Sequence, residues 1–87
     1  MPQNDIPQYA VDITKRYFQA VQKLHDDGKI RGLGTLAKKW DASRYVLSTT
    51  RSYPEKKRLN TEFIYYLSRD YNVSLEWLFH GTGSIFK

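Results

Sequence analysis

Apolar residues recur at steps of three and four along most of this chain, and nowhere do they alternate long enough to make a strand. From about Asp12 to Asp27, Ile13, Tyr17, Val21 and Leu24 are spaced four, four and three apart, with Phe18 and Ala20 beside them. That spacing puts them on one face of a helix, and Gly28 follows where a helix commonly ends. Leu33, Leu36, Ala37 and Trp40 predict a shorter second helix. Asp41-Ala42-Ser43 interrupts it, and Ser43 is a good N-cap for a third helix carrying Tyr45, Val46 and Leu47 to about Arg51. Residues 52–60 read as a polar loop, because Pro54 blocks helix continuation. Asn60 then caps a fourth helix with Phe63, Ile64, Leu67 and Tyr71 on its buried side. Asn72-Val73-Ser74 breaks it, and Ser74 caps a fifth helix from Leu75 to His80, closed by Gly81. Residues 45–50 are β-rich by propensity but too isolated to build a sheet. The expectation is an all-α, five-helix domain over residues 12–81, with an N-terminal arm at 1–11 and a C-terminal tail at 82–87. The tail ends in Ile85 and Phe86, which should pack on the first helix or on a second copy.

The 87 residues suffice for one core and not for two. With 40% hydrophobic and 15% aromatic residues, the chain has the make-up of a folded protein. There is no cysteine, which excludes disulfides, thiolate metal sites and cysteine nucleophiles. No apolar run is long enough to span a bilayer, and the polar start Met1-Pro2-Gln3-Asn4-Asp5 does not resemble a signal peptide. A cytoplasmic protein without a membrane partner is expected.

Charge is distributed unevenly. Residues 29–58 carry nine basic side chains (Lys29, Arg31, Lys38, Lys39, Arg44, Arg51, Lys56, Lys57, Arg58) against Asp41 and Glu55, a net +7. The flanking segments are each −1, so this middle third exceeds the whole chain's +5. Such a concentration suits a polyanion-binding face, or equally an ordinary solvated lysine-rich surface.

Two short helices joined by a tight turn, the second opening on Ser-Arg-Tyr inside the basic third, form a helix-turn-helix pattern. Its first helix must hold the second against the core, which Leu36, Ala37, Trp40 and Leu47 can do. Its second helix must turn small or polar groups outward, and Arg44, Tyr45, Ser48 and Thr49 occupy that surface. Basic residues on either side are placed to meet phosphates.

The run Leu36-Ala37-Lys38-Lys39-Trp40-Asp41-Ala42-Ser43-Arg44-Tyr45-Val46-Leu47-Ser48 resembles the Leu-Ala-x-x-hydrophobic-Gly-Val-Ser-x-x-x-hydrophobic-Ser signature of the phage-repressor-like (Cro and XRE-type) helix-turn-helix proteins. Asn72-Val73-Ser74-Leu75-Glu76-Trp77-Leu78-Phe79-His80-Gly81-Thr82-Gly83 is similar to an ending common in the bacterial members of that family. The resemblance covers roughly residues 13–86. It departs at Asp41, where the family has glycine, and at Leu33, where it often has glutamine. Arg51-Ser52-Tyr53 and Leu59-Asn60 replace its Glu-x-Gly and Pro-Ser.

The resemblance implies a compact lambda-repressor-like DNA-binding domain. Such a domain acts as a transcriptional regulator and binds double-stranded DNA as a homodimer, with the third helix in the major groove. Arg44, Tyr45, Ser48 and Thr49 are then the base-contacting candidates. Ser43, Lys38, Lys39, Arg51, Lys56, Lys57 and Arg58 are the phosphate-contacting ones. Arg44 is the foremost, since a guanidinium can bind guanine O6 and N7 together. Tyr45 either meets a sugar or thymine methyl, or packs back onto the first helix. The rival reading is a protein-interaction module of the same fold whose basic face docks an acidic partner.

No enzyme, cofactor, metal or small-molecule substrate is expected. His25 and His80 sit near helix ends without a second ligand at helical spacing. The two glycine pairs at 32–34 and 81–83 follow no strand and lack a phosphate-loop ending. The tyrosines lack the Arg/His cluster of a tyrosine recombinase, and Trp40 and Trp77 read as core.

Overall fold

A computed structural model describes residues 6–87. They form five helices: α1 (Gln8–Asp26), α2 (Leu33–Lys39), α3 (Arg44–Ser52), α4 (Thr61–Tyr71) and α5 (Leu75–His80). Among the described residues there is no strand, and the only β-type pairing is an isolated antiparallel bridge between Val73 and Phe86. The protein is all-α. No helix among these residues is long and apolar enough to cross a membrane.

The first helix begins earlier than its apolar spacing suggests. Pro7 occupies the N-cap, and its carbonyl accepts from the amides of Ala10 and Val11. A proline loses nothing there, since the first amides of a helix have no intrahelical acceptor. Val11 and Thr14 then extend the buried face to Tyr17, Ala20, Val21 and Leu24, while Ile13 lies at its margin. Residues 8–11 of the expected arm are therefore helical, and residues 1–5 lie outside the described residues. At the other end Gly28 stops the helix with φ 77°. The amides of Lys29 and Gly28 donate to the carbonyls of Leu24 and His25 at 2.9 and 3.0 Å, the paired bonds of a left-handed helix terminus.

The helices enclose one core, in which Tyr17, Leu36, Leu47, Leu67, Leu78 and Val73 are fully buried. Tyr17 is the largest of these, and its hydroxyl donates to the Phe63 carbonyl at 3.2 Å. A buried phenol needs such a partner, and burial pushes its pKa up. Arg16, one residue before, leans out of the core and ties α1 to α5. Its guanidinium donates to the Leu78 and Phe79 carbonyls at 2.8 and 3.1 Å, satisfying two terminal acceptors of α5.

A polar and aromatic cluster joins α2 to α4. The Trp40 indole donates to Asp70 at 2.8 Å, and the Arg69 guanidinium donates to the same carboxylate at 2.7 and 3.0 Å. Arg69 also lies over the rings of Tyr65 and Tyr66, 5.4 and 5.0 Å from their centroids. Trp40 packs against Tyr66 and Phe63 from its other side. Asp70 is held down to about 2, first by Arg69 and then by the Trp40 hydrogen bond.

The tail folds back onto its own domain. The Ser74 amide donates to the Ile85 carbonyl at 2.7 Å, and the Lys87 amide to the Asn72 carbonyl at 2.8 Å. Ile85 and Phe86 thereby pack, half-buried, against the core.

Candidate nucleic-acid interface

The residues joining α2 to α3 fix the angle at which α3 leaves the core. Leu36 and Ala37 from α2, Trp40 after it and Leu47 from α3 are all buried. Asp41 takes a left-handed backbone, φ 53°. Around it the Ala42 amide donates to the Ala37 carbonyl at 2.8 Å, and the Asp41 amide to the Lys38 carbonyl at 3.4 Å. This is the same termination as at Gly28, with an aspartate in the place where glycine is strain-free. Two residues later Ser43 caps α3, its hydroxyl accepting from the Val46 amide at 3.3 Å. One helix is closed and the next opened within the span Trp40–Ser43, so α3 is held rigidly at its N-terminal end.

On α3 the inward side is Leu47 and Thr50. Thr50 turns its hydroxyl onto the Val46 carbonyl at 2.8 Å, so this buried polar group is satisfied within the helix. The outward side carries the charge. Arg44, Tyr45, Ser48 and Arg51 line one open groove of about 440 Å³, whose other wall is Gly32 and Leu33 at the start of α2. Tyr45 is 75% exposed and does not pack back onto the first helix. The stem of Arg44 passes over Gly34, where a Cβ would stand 3.8 Å from Arg44 Cδ. Among the described residues the ion pairs involve neither Arg44 nor Arg51. Both guanidiniums therefore remain available to an outside anion.

The remaining sequence candidates are distributed more widely. Thr49 is half-buried, and its hydroxyl is turned back onto the Tyr45 and Val46 carbonyls at 3.0 and 3.1 Å. It does not line the groove. Ser43 is exposed at the cap, and Lys38, Lys56 and Lys57 are exposed. The Lys39 ammonium is turned toward α4, 5.8 Å from the Tyr71 ring centroid. Arg58 borders a separate recess with Ile13, Leu59 and Phe79. The structure therefore brings Arg44, Tyr45, Ser48 and Arg51 together, and leaves Thr49, Lys39 and Arg58 elsewhere.

The sequence reading missed the support that α1 gives. Lys15, Phe18, Gln19 and Gln22 border a mostly apolar recess beside Arg51 and Pro54 at the end of α3. The spacing of Lys15, Gln19 and Gln22, four and three, was visible as an outward helix face, but nothing local said that α3 would end beside it. Gly34 was likewise unremarkable in the sequence, since its role depends on the path of a side chain ten residues away.

Comparisons with protein-family models, with curated proteins and with solved structures find no match to this chain.

Proposed function

We propose that this protein binds double-stranded DNA in a sequence-specific manner. In this reading it is a transcriptional regulator of the phage-repressor-like kind, its α2–turn–α3 unit is a helix-turn-helix, and α3 enters the major groove. One observation carries the reading: Arg44, Tyr45, Ser48 and Arg51 share an outward groove on a helix capped at its start and anchored by Leu47. That helix lies in the segment with nine basic and two acidic side chains. Base readout needs this combination of rigid placement, donors free of internal partners, and surrounding positive charge. The chemistry of the groove suits a polyanion with readable edges better than a featureless acidic surface, since Arg44 and Ser48 offer directional hydrogen bonds.

Phosphate contacts are assigned to Lys38, Lys56 and Lys57, which are exposed around the unit, and to Ser43 with the first amides of α3. A helix of nine residues is about 13.5 Å long and can face only a few base pairs. So short a site specifies little, and the reading therefore includes a homodimer on two half-sites.

The test is a fluorescence-anisotropy titration of a labelled mixed-sequence duplex with the purified chain. Binding at about 50 mM salt that weakens steeply as salt rises is expected. An unchanged anisotropy at low salt would overturn the proposal and favour an acidic protein partner.

A further inference from the structure

The structure separates Arg51 from the other basic residues that follow the turn. Lys56, Lys57 and Arg58 sit in the loop after α3, whereas Arg51 lies on the helix itself and lines the same groove as Arg44. The two arginines are seven residues apart. Seven residues turn an α-helix through about 700°, within about 20° of two full turns, so both side chains leave the helix in nearly the same direction. They are displaced along the axis by about 10.5 Å at 1.5 Å per residue. A helix in the major groove runs oblique to the duplex axis, so this displacement carries the two side chains to different base pairs. Ser48 lies between them on the same face and also lines the groove. Its short hydroxyl can donate or accept, so it suits many bases and dictates none.

We infer that Arg51 is a second base reader, and that the preferred half-site holds two separate G·C pairs, one read by Arg44 and one by Arg51, with weaker demands at any position between them. The inference rests on the proposal that α3 enters the major groove. Arg44 and Arg51 each present a planar fork that matches guanine O6 and N7, and neither is drawn off by a carboxylate among the described residues. Lysine at either position would supply charge without the fork.

The experiment is selection from a pool of random duplexes with the wild-type chain, followed by the same selection with Arg44→Ala, Arg51→Ala and Arg51→Lys. Arg44 and Arg51 are exposed, so these variants should melt at the wild-type temperature, which is measured first. The wild type should enrich two G·C pairs at one fixed spacing within the half-site. Arg44→Ala should lose the preference at one of them and Arg51→Ala at the other, each by about 5- to 150-fold against the next-best base. Arg51→Lys should keep the salt dependence of the wild type while losing the same guanine as Arg51→Ala. If Arg51→Ala weakens every duplex alike and leaves the enriched sequence unchanged, Arg51 is a phosphate contact and the inference fails while DNA reading stands. If the wild type binds no duplex, the proposed function fails first.

Discussion

Asp41 and Asp70 are two carboxylates with opposite relations to their surroundings, and each sets a measurable part of the stability. Asp41 holds φ at 53° in a helix terminus whose two hydrogen bonds are made by backbone alone. Its side chain is exposed, so the left-handed backbone is uncompensated strain. Asp41→Gly should stabilise the protein by up to about 1 kcal/mol, read as a rise in the urea or thermal midpoint. A loss of stability would mean that the carboxylate supports the start of α3. Asp70, by contrast, accepts from Trp40 and Arg69 and is held down to about 2. A folded pKa below the unfolded value near 3.9 means stability that is fully present above about pH 4 and lost as pH falls toward 2. Asp70→Asn should therefore lower the melting temperature at pH 7, with the gap to wild type closing between pH 4 and 2. A gap that stays constant over that range would show that the charge is not what matters. The left-handed backbone at Asp41 was legible only through the resemblance, because Asp41 stands where the helix-turn-helix signature has glycine. The Trp40–Asp70 bond was not legible, since no periodicity links side chains thirty residues apart.

Among the elements, the starts of α3 and α5 follow directly from serines at 43 and 74, each of which caps its helix. Apolar stripes located α1, α2 and α4, whereas α3 and α5 were placed by those caps. The stripe misplaced the beginning of α1, because Pro7 serves as a cap there while a proline beside polar residues also fits an extended arm. The tail was harder still. Ile85 and Phe86 announced that they needed cover, but their partner is the short break between α4 and α5, through the Val73–Phe86 bridge and its flanking amides. Deleting residues 84–87 should therefore cost roughly 1–3 kcal/mol, because two half-buried apolar side chains and two backbone bonds are lost together. Differential scanning calorimetry would register this as a clear drop in midpoint, with light scattering showing the same oligomeric state as the full chain. An unchanged midpoint would mean that the pairing contributes nothing to the fold.

At the scale of the whole molecule, the basic middle of the chain is divided between distinct surfaces. Its Arg44 and Arg51 share the groove on α3, while Lys39 is turned toward α4 and Arg58 borders a recess with Leu59 and Phe79. Charge arithmetic located the segment but could not divide it, because the division follows from how α3 and α4 are oriented. The exposed cations of that segment should attract any duplex, and only those in the groove should tell one duplex from another. Arg44 and Lys57 are the sharpest pair for testing this, one on the first turn of α3 and the other in the loop after it. The most direct measurement is the affinity of wild type, Arg44→Ala and Lys57→Ala for a preferred and a scrambled duplex across a salt series. Arg44→Ala should cost roughly 1–3 kcal/mol on the preferred duplex and much less on the scrambled one. Lys57→Ala should weaken both alike and reduce the slope of log K against log salt by about one. If both substitutions weakened both duplexes equally, α3 would be an electrostatic surface with no reading function.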